Sequence, residues 1–251
     1  MLKPVTQLEN IQRLYDRHEF LTAYEETKDL WVPGAVRALS TDELVLAGRL
    51  AARLGDRRLW RWLFREALRR EPQNPGVRYF GRYIRQRGWT PLKQIRSFPS
   101  QAELDGFAPE LRVSFLASHA VLFASVRDFT SAHECIRRAY AVGSDTAWAA
   151  SCHSDVLALE DQWPAALKAA QEAWSHNPGA PYAAQSLGNA LLHLGKIEES
   201  SERLAIAARN SQSYEVVSLA CWHKCALAET LEGDERIRFA HEARALADAL
   251  P

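Results

Sequence analysis

Small and large apolar side chains recur every 34 residues in the segment that runs from Phe115 to Asn210. The small residues would let two antiparallel helices approach closely, and the large ones would fill the seam beside them. Each copy is therefore predicted to be a pair of helices of about 12–15 residues joined by a short turn. The five recurring sets are Phe123, Leu157 and Leu191; Ala120, Ser154 and Gly188; Phe129, Trp163 and Ile197; Ala132, Ala166 and Ser200; and Ala139, Ala173 and Ala207.

Capping signals outside this segment predict further helix starts. Ser40 and Glu43 have the spacing of a capping box, in which each residue satisfies a backbone N–H of the other. Asn74 and Thr90 are each followed by proline, which is the combination of a helix N-cap and a first helical residue that lacks an N–H. Because one helix pair cannot bury its apolar face alone, successive pairs are expected to stack.

The period breaks at residues 97–108, where Ser100 and Glu103 predict a short extra helix inside an irregular connection. This break divides the prediction into an N-terminal group of helix pairs at about 4–96 and a C-terminal group at about 109–250. No strand pattern is present along the sequence.

The two ends of the chain follow the pattern less regularly. Residues 5–31 are expected to form one pair, with Phe20 and Ala23 in its seam, and residues 213–249 are expected to form another. The seam of that last pair is predicted at Ala228, Leu231, Ile237, Ala240 and Ala247.

The repeated unit resembles the tetratricopeptide repeat. The copy that begins at Pro181 has the Leu-Gly step, the turn glycine and the late alanine of that family, at Leu187, Gly188, Gly195 and Ala207. The copy before it supplies Ala166, Ala173 and Pro178. Residues 41–72 match with Gly48, Gly55, Ala67 and Pro72, but place Trp60 where the family has a small alanine.

The resemblance implies an all-α, right-handed superhelical solenoid of about seven stacked helix pairs. In proteins of this family the first helix of each pair lines a concave groove, where extended peptides or helices of partner proteins lie. The resemblance therefore implies a protein-interaction scaffold or adaptor, with no cofactor and no enzymatic activity.

Charge is balanced over the whole chain, with 31 basic and 31 acidic residues, but it is unevenly distributed. Residues 49–96 contain 14 Lys and Arg against three acids, so this segment carries +11 and the remainder carries −11. This asymmetry indicates an anionic partner or self-association of oppositely charged ends. A guanidinium group suits such a partner because it can hold a carboxylate or phosphate with two hydrogen bonds.

Repeat position predicts which side chains would face the groove. An acidic segment of the partner is expected to contact the arginines of this set. Trp148 and Tyr182 would add flat contact surfaces. The ten predicted partner-binding residues are Arg49, Arg53, Arg78, Arg82, Arg85, Trp148, Asp155, Tyr182, Gln185 and Asn189.

Asn189 stands where peptide-clamping members of the family place an asparagine, but their lysine one turn earlier is replaced by Gln185. A second row of arginines, Arg57, Arg61, Arg65 and Arg69, recurs every four residues on a predicted second helix, which would face the convex side.

Two other functional classes are compatible with parts of the sequence. Aromatic residues interleaved with the arginines of 49–96 also suit single-stranded nucleic acid, although a neutral whole chain argues against it. Repeat arms of this kind are also attached to, or dock onto, larger enzymes, so a regulatory arm is a further alternative.

Sites for metal or catalysis find little support in the sequence. His119 and His153 lie one period apart, but partly buried histidines bonded to neighbouring carbonyls explain them more simply than a metal site. Cys221 and Cys225 lack the second pair that a structural zinc site needs. No nucleophile elbow, metalloprotease helix or phosphate-binding glycine loop is present. With four cysteines, no visible signal peptide and no long apolar run, we expect a soluble cytoplasmic protein.

Overall fold

The computed structural model of the chain is all-helical throughout the part that it describes. The described residues are 4–17, 19–85, 90–143, 146–178, 180–210 and 214–248. They form two compact units, the first from residues 1–87 with 211–215 and the second from residues 88–210 with 216–251. No helix of the described ranges combines the length and the apolar character that crossing a membrane requires.

The first unit is organised around one central helix, α4. Leu44, Val45 and Ala47 of α4 pack against Leu63 and Phe64 of α5. On its other side, α4 contacts the helices at the start of the chain, where Phe20 and Ala23 are buried as the sequence predicted. The elements of this unit are α1 (Pro4–Asp16), α2 (Phe20–Glu25), a 3-10 turn (Lys28–Trp31), α3 (Pro33–Val36), α4 (Thr41–Arg53), α5 (Arg57–Arg70) and α6 (Pro75–Arg85).

The second unit contains the regular helix pairs and two short helices that precede them. Helix α7, which the sequence grouped with the N-terminal pairs, lies in this unit because it packs against α9. The first two residues of α15 group with the first unit. The helices are α7 (Pro91–Arg96), α8 (Gln101–Asp105), α9 (Pro109–Ser125), α10 (Phe129–Val142), α11 (Thr146–Leu159), α12 (Trp163–His176), α13 (Pro181–His193), α14 (Ile197–Asn210), α15 (Tyr214–Glu229) and α16 (Gly233–Asp248).

The 34-residue period is visible in the backbone of the second unit. Arg127, Asp161 and Gly195 lie 34 positions apart, and each adopts a left-handed conformation, with φ of 66°, 61° and 74°. Each of them lies in the turn between the two helices of a pair. Glycine adopts this conformation without steric strain and Asp or Asn tolerates it, so the cost in stability falls mainly on the copy that has Arg127.

In two successive copies, a serine hydroxyl joins the paired helices at the same pair of repeat positions. Ser154 of α11 donates a hydrogen bond to the carbonyl oxygen of Ala166 in α12, at 2.9 Å. One period later the roles are exchanged, and Ser200 of α14 donates to the carbonyl oxygen of Gly188 in α13, at 3.2 Å. The small side chains predicted from the repeat therefore let a hydroxyl of one helix reach the backbone of the other.

The predicted helix starts are confirmed by their hydrogen bonds. Ser40 forms the full capping box with Glu43 at the start of α4, and Ser100 forms the same motif with Glu103 at the start of α8. The side chain of Asn74 accepts from the N–H groups of Gly76 and Val77. Thr90 accepts from the N–H of Lys93.

The predicted seam of the last helix pair is wrong for α16. Ile237 is 56% exposed, and Ala240 and Ala247 are also exposed. The buried residue of α16 is Ala243, and Leu246 packs against the same core cluster as Val216 and Ala220. Steps of 34 from Ile197, Ser200 and Ala207 lead to Leu231, Asp234 and His241, so the regular repeat gave no support for the face of α16 that was chosen.

Adding a methyl group at Gly48 is expected to overpack the first unit. A Cβ atom there would lie 2.7 Å from Cε1 of Phe64 and 2.9 Å from two other atoms of the same buried ring. Overpacking costs about 1–3 kcal/mol, and the higher helix propensity of alanine returns roughly 1 kcal/mol. We expect Gly48→Ala to lower the free energy of unfolding, measured by urea denaturation, by up to about 2 kcal/mol. Gly34→Ala is the matched control, because a Cβ at Gly34 meets nothing within 4 Å. Equal midpoints for the two variants would contradict this account.

Candidate functional site

The first helices of the second unit present a row of polar and aromatic side chains. Helices α9, α11 and α13 pack side by side, each being the first helix of its pair. The rings of Trp148 on α11 and Tyr182 on α13 meet edge to face, with centroids 5.0 Å apart. Farther along the same two helices, the hydroxyl oxygens of Ser151 and Ser186 are 2.6 Å apart. Neighbouring first helices are thus joined by side chains that the apolar seams do not use.

The two serine hydroxyls cannot satisfy all of their neighbours at once. Ser151 also approaches the carbonyl oxygen of Tyr182 at 3.1 Å, and Ser186 approaches Oδ1 of Asp155 at 3.4 Å. Each hydroxyl supplies one proton, so two protons are shared among three contacts. Asp155 therefore receives at most one hydrogen bond from this group, and that bond is long.

Asp155 is a half-buried residue with no cation beside its carboxyl group. Burial raises the pKa of this carboxyl to about 6, against the opposing effect of the hydrogen bond from Ser186. In the parts of the chain that the structure describes, no Lys or Arg lies within ion-pair distance of Asp155. A buried acid without a charge partner is costly, and such groups are found preferentially at functional sites.

A cavity of about 220 Å³ opens beside Asp155. One wall is fixed by Trp163 and His193, whose rings stack with centroids 3.7 Å apart and planes within 5° of parallel. Trp222 of α15 also contributes, and this residue is 55% exposed. We call this feature the Asp155 cavity, and its principal lining residues are Asp155, Ser186, Asn189, Trp163, His193 and Trp222.

Two of the predicted partner-binding residues, Asp155 and Asn189, come together in this cavity. Gln185 is exposed one turn before Asn189 on the same helix. It stands at the position where the clamp that the resemblance implied has a lysine. Trp148 and Tyr182 contact each other. That these residues bind a partner stays a prediction.

The sequence reasoning missed Ser186, Trp163, His193 and Trp222 as site residues. One signal was available for Trp222, which stands 34 positions after Gly188 in the set of small residues. A tryptophan cannot occupy a close crossing of two helices, so it had to point elsewhere. Ser186 gave no such signal, because its role depends on a contact with the neighbouring helix.

Among the predicted basic anchors, Arg49 and Arg53 have contacts within the first unit. The guanidinium carbon of Arg49 lies 4.4 Å from the ring centroid of Tyr15 and 4.7 Å from that of Phe80, so it is held between two rings. A guanidinium nitrogen of Arg53 lies 2.5 Å from a carboxylate oxygen of Glu215. Both side chains therefore already have partners that offset their charge or bury their apolar surface.

The remaining basic anchors lie on α6. Arg78 is half-buried, and the side chains of Arg82 and Arg85 lie outside the described part of the structure. That these three arginines bind a partner stays a prediction.

The second row of arginines, which was predicted to face the convex side, lies on α5. Its side chains are exposed at Arg57, Arg65 and Arg69. Arg69 forms a double hydrogen bond with Glu66.

Most aromatic residues described in the basic segment belong to the core. Phe64 and Tyr79 are buried, and Trp60 and Phe80 pack against the core cluster of the first unit. Trp60, where the family has alanine, meets Phe64 edge to face at 5.9 Å. Trp62 is 39% exposed. A platform for stacking several bases would need more exposed rings than the described part of residues 49–96 offers.

His119 and His153 are packed among aromatic rings. The imidazole of His119 stacks on Phe98, with centroids 4.1 Å apart, and contacts Phe123 at 4.4 Å. Burial and then the charge of Arg138 lower the pKa of His119 to about 4. Burial also lowers the pKa of His153, which meets Tyr140 edge to face. Across the described ranges, no three His, Cys, Asp or Glu side chains are grouped to hold a metal ion.

Comparison with solved structures identifies the fold. A tetratricopeptide repeat protein from Parabacteroides merdae is 13% identical, with a TM-score of 0.51 over 96% of this chain and 92% of that one. A tetratricopeptide repeat protein from Thermus thermophilus is 16% identical, with a TM-score of 0.57 over 75% of this chain and 99% of that one. No protein-family model and no curated protein sequence matches the chain. These similarities show the fold, and they confirm the prediction of an all-α solenoid built from tetratricopeptide-like helix pairs.

Replacing His119 is expected to weaken the dependence of stability on pH. The folded state holds the pKa of His119 near 4, whereas the unfolded chain has the ordinary value of 6.5. Between these values the unfolded state binds more protons, so stability is full above pH 6.5 and is lost as the pH falls toward 4. His119→Leu should reduce the loss of unfolding free energy between pH 7.5 and pH 5, measured in urea, by about 1–2 kcal/mol. Part of the slope should persist, because burial holds the pKa of His223 at about 4 as well. An unchanged slope in the variant would rule out this role for His119.

Proposed function

We propose that this protein is an interaction scaffold that binds a segment of a partner protein along the first helices of its second unit. The observation that carries the proposal is the Asp155 cavity, in which a buried carboxyl group without a cation faces an opening lined by aromatic rings. The fold itself requires only the apolar seams between helices. Side chains that do not serve those seams are free to serve recognition.

The polar side chains that α11 and α13 share have an energetic cost that the fold does not require. Ser151 and Ser186 are buried and Asp155 is half-buried, so all three lose hydration when the chain folds. An apolar residue would remove the unfavourable burial of the acid, so Asp155 does not improve stability. A bound partner that supplied hydrogen-bond donors or a positive charge would offset that burial.

We further propose, from the charge of residues 49–96, that an acidic segment of the partner contacts Arg78, Arg82 and Arg85 of α6. Arg53 forms an ion pair with Glu215 within the first unit, and the proposal does not depend on it. Arg49 is held between Tyr15 and Phe80, and we assign it a packing role.

Photo-crosslinking tests whether the first helices of the second unit form the binding surface. A crosslinking amino acid at Gln185, which is exposed on the first helix α13, should capture one discrete protein from extracts of the source cells. The same group at Lys168, which is exposed on the second helix α12, is the matched control and should capture none. Capture with equal yield at both positions, or at Lys168 alone, would place binding elsewhere.

Charge reversal tests the acidic partner segment. In the full chain, Arg78→Glu combined with Arg82→Glu should weaken binding of the captured partner at low salt by at least tenfold, because like charges would then face each other. Added salt should reduce the difference between variant and wild type. The paired substitutions Arg57→Glu and Arg65→Glu, on the exposed face of α5, change the net charge by the same amount and serve as the control. If both double variants bind equally, the arginines of α6 are not the anchors.

A further inference from the structure

We propose that the Asp155 cavity binds the cationic end of a lysine or arginine side chain carried by the partner segment. The inference rests on the proposed function, since it names the chemistry that one part of the scaffold recognises. It is independent of the acidic segment proposed for the first unit.

The charge of the cavity selects a cation. Asp155 receives at most one long hydrogen bond, from Ser186, because two hydroxyl protons serve three contacts. An ammonium or guanidinium group would supply the donors and the positive charge that the carboxylate lacks. An anionic ligand would add a second negative charge to a group that is already buried, which disfavours it.

The walls of the cavity suit a cation attached to an apolar stem. Trp163 stacks on His193, and Trp222, which is 55% exposed, also lines the cavity. Cations are attracted to the faces of tryptophan rings. Ala158, Ala190 and Leu192 provide apolar surface against which the methylene groups of lysine or arginine can pack.

The size of the cavity favours a single side chain. Its volume of about 220 Å³ is below the range of about 300–1,000 Å³ that is typical of sites for cofactors and drug-sized ligands. Two of its lining residues, Trp222 and His193, are exposed, so a side chain can reach the cavity from the surface while its backbone remains outside. The side-chain amide of Asn189 lies in the same cavity and can bond to the entering group or to the backbone beside it.

Binding of a cation should depend on pH, because it requires the ionised carboxylate. The raised pKa of Asp155, about 6, means that a falling pH protonates this group and removes its charge. Besides Asp155, the titratable side chain that lines the cavity is His193 of α13. Helices α12 and α15 contribute Trp163 and Trp222, which do not titrate. The affinity of the cavity for a cationic side chain is therefore expected to fall between pH 7.5 and pH 5. The same fall is expected in His193→Phe, which keeps a flat ring against Trp163.

The test uses capped amino acids as probes of the full chain. Nα-Acetyl-arginine amide and Nα-acetyl-lysine amide, whose side chains remain cationic, are titrated into the protein. The amide signals of Asn189 and the indole signal of Trp222 are followed by NMR. We expect saturable shifts with both probes. Acetyl-citrulline amide, the neutral analogue of the arginine probe, should bind at least tenfold more weakly.

Asp155→Asn is the central variant, because it removes the charge and keeps the shape. It should weaken binding of acetyl-arginine amide at least tenfold and should leave the urea midpoint unchanged or raise it. A merely structural role for Asp155 predicts a lower midpoint instead. Asp161→Asn is the matched control, since Asp161 is exposed in the turn that follows the same helix and its φ of 61° is tolerated by asparagine. This control should bind like the wild type.

Three results would overturn the proposal. One is equal binding of the arginine and citrulline probes, and another is wild-type affinity in Asp155→Asn. The third is binding of free arginine as tight as that of an arginine-containing peptide, which would indicate a small-molecule site. If one of these occurs while crosslinking at Gln185 still captures its partner, the scaffold proposal stands and the basic side chain alone is rejected. Loss of crosslinking together with normal binding of the probes would reject the scaffold proposal.

Discussion

The close approach of the two helices in each pair is the constraint on which the second unit depends. It requires small residues at fixed positions, and it brings backbone carbonyls within reach of the partner helix. Ser154 meets this requirement from α11 in one copy, and Ser200 meets it from α14 in the next. The same turn geometry follows each first helix, at Arg127, Asp161 and Gly195, even where the residue is not glycine. The spacing of 34 residues is thus maintained by backbone geometry and helix contact together, and individual side chains can vary around it.

Much of the fold could be predicted because its determinants are local or repeat along the sequence. Helix starts such as Ser40 and Ser100 are set by residues three positions away, and the seams recur at a fixed interval. The prediction was wrong for α16, whose seam was assigned to apolar residues outside the regular repeat. Ile237 is exposed, whereas Ala243 is buried and Leu246 packs against the cluster that contains Val216 and Ala220. The buried face of this helix is set by its contacts with other helices, which its own sequence does not specify.

The candidate site was predictable only in part, because its contacts join residues that are distant in sequence. Counting repeat positions brought Asp155 and Asn189 to one row of first helices, and these two do line one cavity. Counting could not show that Ser186 would lie between Ser151 and Asp155, since that depends on the stagger of neighbouring helices. Nor could it show that Arg53 would pair with Glu215, which lies 162 positions away. A long side chain selects its partner from whatever the fold brings near it.

A repeat scaffold can hold an unfavourable buried charge because the apolar seams, which define the fold, lie elsewhere. Each helix pair buries its seam against the next pair, so stability is distributed over many nearly equivalent contacts. An unfavourable side chain outside the seams lowers the total stability, but it does not disturb the geometry of the other pairs. The half-buried Asp155 can therefore keep its place in the fold, with the parallel rings of Trp163 and His193 beside it in the same cavity. A site of this kind is organised before its ligand arrives, so that little entropy is lost in ordering it when a cation binds.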